Sequence, residues 1–488
     1  MTQGMGNNYS ATMRGLLCCL LTVLVLSGCA TKETIYRDLA DSREQAFQDW
    51  TREKSDPGTA ETIIHGPLSL EDALKSALTH NRELQQTLEE KGIAEGRILE
   101  AYGGVLPHVA INGTYTRQDR DSRDVDGTRY PLGQEDNYEG TLSIIQPLYR
   151  GGAATAALRA SKIYDALTDE TVRGAVQKTL YQTIKAYRRT QLVREQLEVT
   201  KTYAELAEAH LKDVRIKKKF GTASDFNVLR SQVELSNARA EQISFQNTYH
   251  TSVVNLLQIM GMSQESRIEL TDELTYHPLS IEEERAIHQA FQNRPDLAAA
   301  ELSLKLQQES LNVAYSGYWP QIDAFYNYTL GKPDPYVATH NDWDNAWFAG
   351  ISVTVPIFDG LVREGRVAQE KASLRQQRIG LTDARERALF DVRTAILNLQ
   401  DAAESVDVQK LTVSQAREGL RLAEVGYREG ILDQVSVLDA RAALTQAQLL
   451  YYGSLFDHAI ARLDLRMAMG TLSHQDAPAG DMKTQGND

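Results

Sequence analysis

A series of short motifs recurs along this chain in the same order, and the recurrence constrains the fold more than any other feature. Leu68-Ser69-Leu70-Glu71 returns as Leu279-Ser280-Ile281-Glu282, and Asn81-Arg82 as Asn293-Arg294. Leu106-Pro107 corresponds to Trp319-Pro320, Gln146-Pro147-Leu148 to Val355-Pro356-Ile357, Phe220-Gly221 to Glu429-Gly430, and Met260-Gly261 to Met469-Gly470. The offset stays near 210 residues throughout, the mark of an internal duplication. It sets a first repeat at 67–261 and a second at 279–470.

Each repeat opens on a helix. Ser69 with Asp72, and Ser280 with Glu283, have N-cap spacing, in which a hydroxyl and a carboxylate satisfy free amides of the first turn. Leu70, Ala73, Leu74, Ala77, Leu78, Leu84 and Leu88 form a helical stripe that Gly103-Gly104 and Pro107 end. In the second copy Pro295 offsets or kinks the first turns, and Gly317 with Pro320 ends the helix.

The period then changes to two. Val109, Ile111, Gly113 and Tyr115 alternate with Ala110, Asn112, Thr114 and Thr116, and Leu142 and Ile144 mark a return strand, giving a β-hairpin at 108–147. Between them the polar stretch from Asp119 to Asn137 reads as an exposed loop. The second hairpin, 321–357, sets Ile322, Ala324, Tyr326, Tyr328 and Leu330 against Asp323, Phe325, Asn327 and Thr329, and Trp347, Ala349, Ile351, Val353 and Val355 against Phe348, Gly350, Ser352 and Thr354. Runs of about 9–11 residues suit tilted strands crossing a bilayer. Trp343, Trp347 and Phe348 gather near one end, as in an interfacial girdle. A hairpin packed in water on its own helices has the same alternation.

Two proline-free helical stretches follow, 152–219 and 360–429, each on the order of 100 Å at 1.5 Å per residue. In the second, Leu389, Val392, Ile396, Leu399, Ala403 and Val406 recur at alternating three and four, a heptad seam. Gly221 and Gly430 stop these helices where a left-handed backbone is needed, and Ser224 and Asp433 start the descending partners. Small residues such as Ala440, Ala442, Ala443 and Ala447 allow those partners close approach. Gly151-Gly152 suits a strand-to-helix turn better than a phosphate cradle.

At the amino end, Arg14 and an apolar run from Leu16 to Leu26 form a signal peptide over 1–28. Leu26-Ser27-Gly28-Cys29 resembles a lipobox, which makes Cys29 the acylated first residue of an exported lipoprotein. Cys18 and Cys19 leave with the signal, so disulfides and catalytic thiols are excluded. Ala30, rather than Asp, follows the cysteine, which directs the product to the outer membrane. Residues 29–66 form a polar tether and 471–488 a flexible tail.

Acidic residues number 66 against 52 basic ones, a net charge of −14, and the lone basic block Lys217 to Lys219 suits a helix end. Nucleic acid is therefore not a partner. A mean hydropathy of −0.40 excludes a polytopic helical membrane protein. The sequence carries no HExxH, CxxC, GxGxxG or GxxxxGK[ST] motif, which points to no metal, no nucleotide cofactor and no enzymatic role. Any energy comes from a partner.

Four strands cannot close a barrel, and open edges in hydrocarbon leave backbone amides unpaired at several kcal/mol each. Strands in lipid thus require oligomerisation. The lipobox, the duplicated helix–hairpin–helix plan and the tip motifs Tyr427-Arg428-Glu429-Gly430 and Val437-Leu438-Asp439-Ala440 resemble the TolC family of outer-membrane efflux proteins, over about residues 66 to 471. The resemblance implies a mainly α homotrimer with a 12-stranded β-barrel continued by an α-helical coiled-coil tunnel. Such a duct conducts cargo passively from an inner-membrane pump, through a periplasmic adaptor, to the exterior. It implies that the tips, Gly221 with Thr222 and Gly430 with Ile431, meet the adaptor. It also implies an acidic ring at the periplasmic entrance. Asp439 matches one ring position, Ser436 stands at a site acidic in some relatives, and Asp433 offers a different contribution. Read as an ordinary helix residue, Asp439 is simply solvated or capped. The alternative for the whole chain is a periplasmic coiled-coil lipoprotein, an adaptor or scaffold that never forms a pore. The proline-rich opening common in drug-efflux lipoproteins of the family is missing, so the cargo stays open.

Overall fold

The computed structural model describes residues 32–55, 63–117, 121–125, 128–132, 134–335 and 341–473. Cys29, the signal segment and the tail from residue 474 lie outside them. The chain forms two units: residues up to His65 with Ser263–Arg267, and Gly66–Met262 with everything from Ile268 onward. In the first unit, residues 32–55 form helix α1 (Lys32–Ser55), within the segment expected as a polar tether.

The second unit holds the two repeats. The first copy runs α2 (Leu70–His80), α3 (Arg82–Gly103), β2 (His108–Arg117), β5 (Asp136–Arg150), α4 (Ala153–Lys219) and α5 (Asp225–Met260). The second runs α6 (Glu283–Asn293), α7 (Pro295–Ser316), β7 (Gln321–Lys332), β8 (Asp344–Thr354), α8 (Val362–Arg428) and α9 (Gln434–Ala468). A short β1 (His65–Leu68) pairs with β6 (Arg267–Leu270).

Local chemistry sets most boundaries. The Ser69 side chain accepts from the Asp72 amide and opens α2 as expected. Ser280 does not act in this way: α6 starts after Glu282 without a side-chain cap. The single opening helix expected over 69–103 is broken at Asn81, whose extended backbone (φ −65°, ψ 118°) ends α2 while its side chain accepts from the Leu84 amide to start α3. Arg294 breaks the second copy in the same conformation, and Pro295 is the first residue of α7 rather than a kink, because its missing N–H is no loss there.

These breaks let helices stack end to end. Gly261 (φ +70°) closes α5 so near the end of α2 that an added Cβ would overlap the His80 carbonyl. Asn81 donates from Nδ2 to the Ile259 carbonyl across the same junction. Gly470 also lies tightly under Arg294, where a Cβ would sit 2.7 Å from its amide nitrogen. Consequently α3 and α5 both pack along α4, and α7 and α9 both pack along α8 and also along α4.

The long helices span 67 residues each. The buried seam of α8 is Ala388, Val392, Ala395, Leu399, Ala402 and Val406. Half the expected seam is therefore displaced by one position: Leu389, Ile396 and Ala403 are half-buried, and their neighbours Ala388, Ala395 and Ala402 take the centre. Ala395 and Ala402 pack there with Ala286 and Ala290 of α6 and with Ala461 and Leu465 of α9 in one core. Leu465 is fully buried, and truncating such a leucine costs about 2–5 kcal/mol.

The strands form one antiparallel sheet, ordered β2-β5-β7-β8. The stretch from Asp119 to Asn137 is not simply a loop. It contains β3 (Asp121–Val125) paired with β4 (Thr128–Leu132).

Candidate functional site: a two-faced sheet and paired helical tips

Register decides which side chains share a sheet face. Val109 lies opposite Ile144 and Ile111 opposite Leu142. The same row continues through Ile144 to Tyr326 and Leu142 to Tyr328, then to Ala349 and Trp347. One face is thus apolar across all four strands, and Ile111 on it is 80% exposed. The opposite face carries hydroxyls and amides that bond one another: Thr141 with Thr329 at 3.1 Å, Ser143 donating to Asn327 at 2.6 Å. Arg150 pairs with Asp323 on that face at 2.8 Å.

The aromatic cluster divides between the faces. Tyr115, Tyr138 and Trp343 form a chain of rings 5.0 and 6.1 Å apart, and Trp347 stacks on Tyr326. Phe348, expected in the same girdle, turns to the polar face and meets Phe325 edge-on, because adjacent strand residues point oppositely. Both outer strands, β2 and β8, end the sheet with an unpaired edge. Among the described residues no helix is long and apolar enough to cross a membrane.

At the far end of each long helix the chain reverses in the same way. Gly221 (φ +73°) and Gly430 (φ +75°) are left-handed. The amide of Thr222 bonds the Lys217 carbonyl at 2.9 Å and that of Ile431 the Gly426 carbonyl at 2.8 Å, a Schellman closure at both tips. Ser224 and Asp433 cap the descending helices. Asp433 accepts from the Ser436 amide at 2.9 Å and hydroxyl at 2.8 Å, which together hold its carboxyl below the ordinary range. Asp433 and Ser436 are thus engaged with each other. Asp439 lies exposed on α9. Phe220 and Ile431, each 79% exposed, give the two tips bare apolar ends.

Contacts between the repeats beneath the tips carried no sequence signal. The Gln434 amide nitrogen lies 3.0 Å from His210 Nε2 and donates to Ser231 at 2.7 Å. All three side chains are buried, and burial pulls the His210 pKa down. Lys217 donates to the Tyr427 hydroxyl at 3.3 Å and lies over its ring. Half-buried Glu234 is pushed upward, first by burial and then by the charge of Asp439, with Arg441 opposing. Arg441 itself pairs with Glu424 at 3.0 Å. No group of acidic, histidine or cysteine residues able to hold a metal occurs among the described residues.

A sheet with one apolar and one polar face, joined to paired proline-free helices with reversing tips, suits strands that lie between lipid and water. A family model for outer membrane efflux proteins matches residues 73–262 and again 286–471, so the chain belongs to that family. It is 22% identical over 419 residues to the outer membrane protein TolC of Vibrio cholerae, covering 84% of this chain and 92% of that protein. It is 23% identical to the cobalt-zinc-cadmium resistance protein CzcC of Cupriavidus metallidurans, covering 82% and 91%. With the alkaline protease secretion protein AprF of Pseudomonas aeruginosa it shares 23% identity, covering 84% and 86%. Among solved structures it resembles the outer membrane protein VceC of Vibrio cholerae, with a TM-score of 0.70 at 17% identity over 82% of this chain and 96% of that one. The CmeC outer membrane channel of Campylobacter jejuni gives a TM-score of 0.71 at 15% identity over 82% and 85%. The chain is accordingly the outer-membrane exit duct of an efflux or secretion system, and the scaffold alternative is set aside. The family is one of transport channels rather than enzymes.

Proposed function

We propose that three copies of this chain close into a 12-stranded barrel and a continuous helical tunnel, docked through the tips to a periplasmic adaptor and an inner-membrane pump. The observation that carries this is a second apolar stripe on α8. Ile379, Phe390, Leu397, Val408, Leu411 and Leu422 are all exposed, and at 3.6 residues per turn they fall within about 60° of one another, nearly opposite the buried seam. On α5, Phe226, Leu229, Val233, Ile243 and Val254 form a matching exposed stripe.

The duplication supports one choice of what covers them. Helix α4 has neighbours on both flanks, α3 with α5 on one and α7 with α9 on the other, whereas the helices packed along α8 are chiefly α6, α7 and α9 of its own repeat. Its counterpart partners are α3 and α5 of the next copy. The contact is head to tail, a threefold rotation closes it into a ring, and the same rotation joins edge β8 to the next β2. The polar sheet face then lines the pore and the apolar face meets lipid. Acylation of Cys29 adds an anchor in the outer membrane. Asp439 sits near the entrance, repeated by threefold symmetry.

Cargo selection belongs to the pump, since a wide water-filled tube discriminates weakly. Single-channel recording of the purified protein in planar bilayers tests the reading: a trimer that conducts ions supports it, and a non-conducting monomer overturns it. Phe390→Glu with Leu397→Glu places two carboxylates on the free flank of α8. The pair is expected to leave the monomer folded by circular dichroism while abolishing the trimer by light scattering.

A further inference from the structure

Helix α1 spans 24 residues in front of the repeats, and its side chains segregate by chemistry. At 3.6 residues per turn, Tyr36, Leu39, Ala40, Ala46, Phe47 and Trp50 fall within an arc of about 120°. All six are exposed. Tyr36 is 63% and Phe47 59% accessible, and the Phe47 and Trp50 rings lie 5.7 Å apart on this face. Arg43 falls in the middle of the same arc. Between Tyr36 and Arg52 every acid, namely Asp38, Asp41, Glu44 and Asp49, lies on the remaining circumference. That polar face is internally bonded, Gln48 donating to Glu44 at 3.2 Å and Arg52 pairing with Asp49 at 3.5 Å.

Charge placement identifies the surface this face suits. A layer of anionic phosphates above an acyl boundary attracts cations, repels carboxylates and accepts aromatic and aliphatic side chains from below. Arg43 on the apolar arc can run its stem along the apolar layer while its guanidinium reaches phosphate. Excluding every acid from that arc removes the repulsion. Chain position agrees, because Cys29 lies three residues before Lys32, a reach of about 10 Å.

We propose that α1 lies flat in the phospholipid surface that receives the Cys29 lipid, apolar arc toward the acyl chains and acidic face toward water. The position of the helix rests on the lipoprotein reading above, whereas the chemistry of its face does not. The second contact orients the start of the chain as well as anchoring it.

Spin labels at Leu39→Cys, Glu44→Cys, Phe47→Cys and Gln48→Cys, one at a time in the full-length protein, test the proposal in liposomes of phosphatidylethanolamine and phosphatidylglycerol. Labels at 39 and 47 are expected to collide with dissolved oxygen several-fold more than with a water-soluble nickel chelate, and labels at 44 and 48 to show the reverse. Arg43→Glu is expected to reduce the oxygen preference at 47. Equal chelate access at all four sites overturns the proposal. So does shielding of 39 and 47 from both reagents, which would mean that a protein surface covers the face. Mass spectrometry of the amino-terminal peptide from the same sample separates the two readings. Unacylated Cys29 with 39 and 47 in lipid overturns only the anchor, and acylated Cys29 with 39 and 47 in water overturns only the helix placement.

Discussion

Gln434, in the first turn of α9, donates to Ser231 in the second turn of α5 at 2.7 Å, a contact that ties the second repeat to the first just beneath the tips. The same amide nitrogen faces His210 of α4. Any motion that separates the two helical hairpins at this end must break this buried arrangement.

Gln434→Ala leaves the Ser231 hydroxyl and the His210 ring buried without this partner, at a cost of about 1–3 kcal/mol. The variant is expected to favour the parted arrangement of the hairpins. In planar bilayers it should show larger or more frequent conducting events than the parent, with unchanged barrel integrity in heat-modified electrophoresis.

Acid should loosen the same region. His210 is held below its ordinary value of 6.5 by burial and by the positive charge of Arg441. The folded state therefore binds this proton less readily than the unfolded state does, so stability is intact above pH 6.5 and declines as pH falls below it. His458 contributes in the same direction, again chiefly through burial. Protonated His210 also presents a donor to the donating amide of Gln434. Melting temperatures measured from pH 7.5 down to 5 should show this decline, and His210→Asn should flatten part of it; a parallel profile in the variant would assign the slope elsewhere.

Asp439 sits exposed on α9, and its charge raises the proton affinity of Glu234 on α5. Three copies around an axis would make an acidic constriction that favours cations. Asp439→Ala is expected to reduce the cation-to-anion permeability ratio obtained from reversal potentials under a salt gradient. An unchanged ratio would place the selective element elsewhere.

The glycines that end the helices should differ in sensitivity. Gly221 has φ +73° with open space around it, so Gly221→Ala is expected to cost only the left-handed penalty of about 1–2 kcal/mol. Gly261 has nearly the same φ, but an added Cβ would overlap the His80 carbonyl. Gly261→Ala should therefore lower the thermal midpoint by clearly more, because the α2–α5 junction has to shift. Equal effects of the two substitutions would contradict the stacked-junction geometry.

How legible each feature was depended on how far apart its partners lie. Capping by Ser69, Ser224 and Asp433, the glycine reversals at Gly221 and Gly430, the period-two strands and the proline-free helices all follow from interactions within a few residues, so the amino-acid order determined them. The duplication likewise showed that the plan is executed twice. Asn81 and Arg294 were visible as a repeated motif, yet the end-to-end stacking that their breaks permit was not, because Gly261 and Gly470 meet them from 180 or so residues away. Likewise α8 could centre its seam on the alanines or on their neighbours, and only contact with α6 and α9 selected the alanines. Tertiary structure also brought Gln434, Ser231, His210, Lys217 and Tyr427 together. Each is an unremarkable polar residue of a long helix until folding supplies its partner, since a hydrogen bond between distant positions leaves no periodic trace in the chain.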